Sequence, residues 1–271
     1  MKDETRTIQR AAGSQRSLRA PSGTQSIQRA ARLLRELAAR NRQGMRLIDV
    51  AQSSGLQRPT VHRMLKCLAA ENLVSQDPQS RRYFLGPLVF ELGITAGPRF
   101  NIRDLCTDAL DRIAAETGDT VFLTIRSGDD SLCVDRREGA FPIKTFTVDV
   151  GVRRPLGVGA GSLAILTALP EEEIEETVSR VANRLPAFGR LTASELLALV
   201  KRARKVGYVL NDVRTLSGVT AIGAPIFDPI GRPVAAISVS AITSRMTTTR
   251  QRELAEVLRR EVRAIEKRLA R

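Results

Sequence analysis

Between Leu47 and Leu68 two short apolar stripes are separated by Ser53-Ser54-Gly55, and that spacing leaves the chain few ways to fold. Leu47, Ile48, Val50 and Ala51 predict a short helix. Gly55 follows it as the residue suited to a left-handed cap, so the chain turns sharply there. Leu56 then plugs back inward, and Pro59 falls in the first turn of the next helix, where its missing N–H costs little. Val61, Leu65 and Leu68 recur at helical spacing as that helix's buried stripe. Two helices joined through a tight glycine turn, the second with basic and hydroxyl groups on its exposed positions, predict a helix-turn-helix.

The flanks extend the motif. Ile27, Ala30, Ala31, Leu34, Leu37 and Ala38 predict a preceding amphipathic helix, capped by Ser26 and closed near Gly44. After Asn72, LVSQDPQSRRYFLG reads as a strand at 73–76, an Asp-Pro turn and a second strand at 82–85, a hairpin that serves as a wing. Residues 25–86 are therefore expected to form a winged helix-turn-helix. Residues 1–24, polar and basic up to a Pro-Ser-Gly break, read as a flexible basic arm that either tracks phosphates or is simply solvated. The apolar run PLVFELGITAG makes 87–99 a linker helix that needs a cover, which a second copy of the chain would supply.

Charge is distributed to match. The 271 residues carry a formal net charge of +14, and residues 1–86 hold 16 basic against 6 acidic side chains, whereas residues 87–271 hold 27 against 23. A positive field concentrated on the helix-turn-helix favours a polyanion. With no Trp and two Tyr there is little material for stacking single strands, so double-stranded DNA is the expected partner. Three scattered cysteines make neither a disulfide framework nor a metal knuckle. No run approaches the roughly 18–20 apolar residues of a membrane helix, so no membrane partner is expected and the expected location is the cytoplasm.

The rest of the chain mixes helix and strand. Helices are expected at 102–116, 162–169, 171–182, 193–205 and 248–271. Strands are expected in VFLTIRSGDDSLCVDRR on both sides of its Gly-Asp-Asp, at 146–152, and twice within 218–240 around Asp228-Pro229-Ile230-Gly231. This is an α+β domain over 100–271, with a largely antiparallel sheet covered by helices.

A recognition helix enters the major groove by its N-terminal end, so Gln57, Arg58, Thr60, His62 and Arg63 are the candidates for base contact. Arg can donate twice to guanine, Gln can pair with adenine, and the Thr methyl can meet thymine. Lys66, Arg81 and Arg82 are candidates for phosphate contact, which positions without reading sequence. In the second domain, Gly157-Val-Gly-Ala-Gly161-Ser162 opens an apolar helix, whose free N–H groups and dipole can face an anion such as a carboxylate.

Over residues 25–271 these blocks resemble the IclR (isocitrate lyase regulator) family of bacterial transcription regulators. VAQSSGLQRPTVHRMLKCLAAENLVSQDPQSRRYFLGPLVFELG is similar to its winged helix-turn-helix, while RRPLGVGAGSLAILTALP, GYVLNDV and GVTAIGAPIFDPIGRPVAAISVSA are similar to its effector-domain signatures. The resemblance implies a GAF-like C-terminal domain that binds a small organic acid or aromatic compound, and a homodimer or homotetramer on a palindromic operator. It supports Thr60 and Arg63 as DNA contacts above the others. It also implies effector contacts from the amides of Ala160 and Gly161 and the hydroxyls of Ser238 and Ser240, which, two apart on a strand, share a face. Where such relatives carry Asp and Cys, this chain has Asn211 and Ala221, and Gly157 stands for a frequent His. These departures favour a different or larger acid.

An enzyme is the weaker alternative. The single histidine, His62, lies on the expected recognition helix, and GVGAGS fits neither a phosphate loop, GxGxxG, nor GxSxG. The acidic run 171–176 reads as a solvated helix face. Neither a cofactor nor a metal is expected. The other alternative, a nonspecific architectural nucleic-acid binder, differs by lacking sequence preference.

Overall fold

A computed structural model describes residues 24–96, 102–212 and 216–270. The chain divides into two compact units, Met1–Leu37 with Asn41–Pro87, and Ala38–Arg40 with Leu88–Arg271. The expected basic arm lies outside the described residues except for Thr24.

The first unit runs α1 (Gln25–Ala39), α2 (Leu47–Ser54), α3 (Arg58–Ala70), β1 (Val74–Gln76) and β2 (Tyr83–Leu85). Gln28 N donates to the Thr24 carbonyl at 3.1 Å, so α1 begins two residues early and Ser26 sits inside the first turn instead of capping it. Its core stripe is Leu33 and Leu37, with Ala30 and Leu34 alongside. Ile27, expected on that stripe, stays 69% exposed, because it lines a groove beside α3 and not the core that the C-terminal half of α1 closes. Gly55 ends α2 at φ 64° in the left-handed region. Val61, Leu65 and Leu68 of α3 are buried, each leucine contributing about 1.5–3 kcal/mol by leaving water. The hairpin is pinned by a bridge that the strand pattern did not announce: Met45 N donates to Tyr83 O at 3.0 Å, and Tyr83 N to Met45 O at 2.7 Å.

In the second unit α4 (Pro87–Ala96) buries none of its residues. There follow α5 (Ile102–Thr117), β3 (Thr120–Ser127), β4 (Asp130–Glu138), β5 (Arg153–Pro155), α6 (Ala160–Thr167), α7 (Glu171–Val181), a 3-10 helix (Ala182–Ala187) and α8 (Ala193–Val206). The chain continues with β6 (Val209–Asp212), β7 (Val219–Phe227), β8 (Pro233–Ile242) and α9 (Thr248–Leu269). The strands form one antiparallel sheet in the order β5-β4-β3-β8-β7-β6. One face packs on α5 and α9 through Val121, Leu123, Ile237 and Val239. The other carries Thr120, Phe122, Ser238, Ser240 and Ala221, on the side of α6.

Two expectations change. The strand expected at 146–152 is irregular, and the strand is Arg153–Pro155. Val152 N donates to Asp149 O at 3.1 Å and Gly151 takes φ 88°, a turn that interrupts the apolar alternation. Strand β6, too short to stand out by pattern, forms by pairing with β7. No helix among the described residues is long and apolar enough to cross a membrane.

Candidate functional site

In the first unit the side of α3 opposite its buried stripe bears His62, Arg63 and Lys66, all exposed. Gln57 is its N-cap residue and Arg58 begins it, both exposed, and no acidic residue occupies the first turn. The positive end of the helix is thus open to an anion. Thr60 is half-buried, lining with Arg63 the groove between α3 and the start of α1.

On the wing, Asp77 organises the turn: its Oδ1 accepts from Ser80 N and Ser80 Oγ, each at 2.6 Å. The Ser80 hydroxyl, followed by its N–H, holds the Asp77 carboxyl below the ordinary carboxylate value. This places Arg81 in the left-handed region at φ 57°, with its side chain exposed. Arg82 differs, since its Nη1 donates to Gly44 O at 2.9 Å and Gln43 O at 3.4 Å. That guanidinium already braces the wing against the turn before α2.

The second unit holds a small pocket between α6 and the sheet. Helix α6 starts at Ala160, two residues before the expected start, and residues 160–166 are all buried, so it is a central helix with no solvent face. Two glycines let it come close: a Cβ at Gly223 would lie 2.5 Å from the Ala160 carbonyl, and one at Gly161 would lie 2.9 Å from Thr124 Oγ1. The amides of the first helical turn have no intrahelical acceptor. Ser162 is occupied structurally, accepting from Gly157 N at 2.8 Å and so holding the glycine-rich turn.

Ala160, Gly161, Ala221, Ser238 and Ser240 all line this pocket, together with Phe122 and Cys133. Asn211, Ala221, Ser240 and Thr120 lie opposite one another across β6, β7, β8 and β3, which puts their side chains on one face. Asn211 is two strands from Ser240, roughly 10 Å at the usual strand spacing, and does not line the pocket. Ser240 is 1% exposed, and its Oγ has no hydrogen-bond partner among the described residues. An unmet buried hydroxyl is costly, by about 1–3 kcal/mol, and so marks a place where something else bonds.

Two parts of the pocket are new relative to the sequence reading. Thr147, Val148 and Val152, from the irregular segment at 141–152, form its cover. Arg154 also lines it. The pairing of Ser131 with Arg154 in the β4–β5 ladder puts Arg154 on the pocket face, while Arg153, opposite Leu132, points the other way. Only that register separates the two adjacent arginines. Cys133 is pushed up to about 12 by burial, so its thiol is neutral at physiological pH. Among the described residues no cluster of three His, Cys, Asp or Glu could hold a metal ion.

Comparison with known proteins bears on both units. Residues 26–78 match the IclR helix-turn-helix domain, and residues 95–267 match the family described as bacterial transcriptional regulator IclR C-terminal. The HTH-type transcriptional regulator KipR of Bacillus subtilis is 30% identical over 211 residues, 78% of this chain and 84% of that protein. The crystal structure of Thermotoga maritima IclR is 26% identical with a TM-score of 0.62, over 91% of this chain and 99% of that one. An IclR homolog from Microbacterium hydrocarbonoxydans, crystallised with 4-hydroxybenzoate, has the same fold at 21% identity and a TM-score of 0.69, over 90% of this chain and 98% of its own. With its helix-turn-helix and its α+β domain both matched, the chain belongs to the IclR family of bacterial transcriptional regulators, and is a DNA-binding regulator and not an enzyme.

Proposed function

We propose that this protein is a ligand-responsive cytoplasmic regulator that binds a palindromic operator as a homodimer or homotetramer and changes its affinity when a small organic acid enters the C-terminal pocket. The observation that carries the reading is Ser240 Oγ, buried without a partner beside Ser238 and the first-turn amides of α6. Hydroxyls and amides converging on one small space are the donor set of a carboxylate site. The 4-hydroxybenzoate complex of the Microbacterium homolog supports an acid, with Phe122 available here as an aromatic wall.

Base contact falls to Gln57, Arg58, Thr60, His62 and Arg63, and phosphate contact to Lys66 and Arg81, with Arg82 positioning the wing. Arg63 and Lys66 are favoured by their exposed place on α3 opposite its core stripe. Asn211 contributes to effector binding from the second row of the sheet, by polarising the face that Ala221 leaves open. Self-association is supported by α4, where Phe90, Leu92 and Ile94 are 71%, 55% and 61% exposed. Three large apolar groups on one short helix need a cover, and an isologous contact with a second copy supplies it.

The effect of the acid is linkage: a ligand that prefers one DNA-binding geometry shifts operator affinity by its ratio of affinities. The test is retention of the intergenic DNA beside the protein's own gene against scrambled competitor, with and without a panel of aliphatic and aromatic acids. Specific retention altered by one acid is expected. Equal retention of scrambled DNA at every salt concentration would move the protein to the nonspecific architectural class.

A further inference from the structure

We propose that Arg154 is the residue that selects an anion in this pocket, and that its bond to the Thr147 carbonyl is the latch an acid must release to enter. The inference rests on the pocket being the effector site.

Arginine is expensive to remove from water and is normally compensated by a carboxylate when it is buried. Arg154 is not. Its Nη2 donates to the main-chain carbonyl of Thr147, and its guanidinium stands 6.0 Å from the centre of the Phe188 ring. Among the described residues Asp149 is the only carboxylate exerting a charge effect on it, and Asp149 pairs with Arg136 at 3.2 Å. Burial, acting first, lowers the Arg154 pKa from its ordinary value, the direction expected of a cation short of counter-charge. A neutral carbonyl and a distant ring leave most of that charge uncompensated.

The pocket places the remaining donors around the same space: Ser240 Oγ without a partner, Ser238, and the α6 amides. All are donors, and none supplies a negative charge. A carboxylate satisfies the set, whereas an amide or ester of the same shape leaves the guanidinium unpaired.

Size then connects recognition to motion. The pocket offers about 40 Å³, room for roughly three waters and too little to take in an aromatic acid. The cover at 141–152 must therefore move, and Arg154 holds it through Thr147. Other ties hold the rest of the cover: Thr145 Oγ1 donates to the Ser240 carbonyl at 2.8 Å, Arg136 stacks on Phe146 and pairs with Asp149, and Gly151 N donates to Cys133 O at 2.8 Å, so the part that Arg154 holds is Thr147 and Val148. An incoming carboxylate that takes the guanidinium competes directly with the Thr147 bond.

Calorimetry on the full chain tests this with 4-hydroxybenzoate, glyoxylate and pyruvate, each set against its uncharged amide. An acid that binds wild type at least tenfold more tightly than its amide is expected. Arg154→Gln should remove that preference by weakening the acid alone, and Ser240→Ala should weaken acid and amide together. An amide that binds as well as its acid overturns the proposal with no variant needed. So does an Arg154→Gln protein that keeps the preference while Ser240→Ala lowers affinity, and in that case the pocket reading survives. If no acid binds, or neither substitution alters binding, the pocket reading fails and takes the proposal with it.

The latch has its own readout. In a Cys67→Ser background, Arg154→Gln should speed alkylation of Cys133 inside the pocket at least tenfold, and an unchanged rate overturns the latch. Should Arg154→Gln not fold, Arg154→Lys keeps the charge and loses the fork geometry. It is expected to retain part of the acid preference while still speeding Cys133 alkylation, and a wild-type alkylation rate would overturn the latch.

Discussion

The two units treat charge in opposite ways. Among the described residues every side-chain ion pair lies between Arg103 and Arg268, in the second unit. The first unit, which carries most of the net charge, leaves Arg58, Arg63 and Lys66 without an ionic partner. Paired charges in the second unit serve the fold, whereas unpaired charges in the first are stored for a polyanion outside it. Surface arginines cost little when left in water, so the first unit can hold this field without a stability penalty, and the field steers association with DNA. Arg154 is half-buried on the pocket face of its own unit without a carboxylate partner, and that placement is what marks it as a ligand contact.

The comparison is broken most severely at Asp119. Its side chain is 2% exposed and accepts from Arg245 Nε at 3.1 Å and Arg250 Nη2 at 2.8 Å, while Arg250 also donates to Thr117 O at 2.7 Å and Arg245 stacks 3.8 Å from the centre of Phe141. Asp119→Ala would leave two half-buried guanidinium groups unpaired. Removing one partner of a buried pair costs about 3–5 kcal/mol, and the partial exposure of both arginines puts the expected loss near the lower figure. Urea denaturation measures it. A loss below about 1 kcal/mol would mean that these pairs behave like surface ones.

In the first unit the same experiment should barely move stability and should move DNA binding instead. Arg63→Ala is expected to cost about 1–3 kcal/mol of operator affinity and to relax preference at one base pair. Lys66→Ala should weaken specific and scrambled DNA alike and reduce the salt slope of log K by about 1. Both should denature within about 0.5 kcal/mol of wild type, since neither side chain touches the core. Titration of labelled operator at several salt concentrations separates the roles, and interchanged behaviours would exchange the two assignments.

How much was legible follows from where each signal resides. The helix-turn-helix could be read because Gly55, Pro59 and the Val61-Leu65-Leu68 stripe act locally, through backbone conformation and helical period. Ser238 and Ser240 could be placed on one face because strand alternation is also local. Arg154 could not, since Arg153 and Arg154 are chemically identical and only the β4–β5 register decides which one faces the pocket. Residues 146–152 read as a strand because their apolar alternation is real, and the turn at Asp149–Gly151 overrides it. Nor did α1 announce that Ile27 would face a groove, because periodicity fixes a side of a helix and says nothing about how far along it a partner extends.

The smallest expected effect contrasts the thiols of the two units. Cys67 is exposed on α3, whereas Cys106 and Cys133 are buried, and burial pushes each of the latter up to about 12. Unfolded thiols ionise near 8.5, so above that pH the unfolded chain releases two protons that the folded chain keeps. The stability these groups contribute is fully present below about 8.5 and is lost as pH rises toward about 12. Between pH 9 and 10 each thiol should lower the unfolding free energy by about 1 kcal/mol. Cys106→Ala and Cys133→Ala remove the titrating groups, so each variant, although less stable at pH 7, should show a shallower decline when its stability is followed from pH 8 to 10.5. A decline of wild-type slope in the Cys106→Ala/Cys133→Ala double variant would assign the alkaline loss to other groups, and would break the contrast between an exposed thiol on the DNA-binding unit and buried ones in the second.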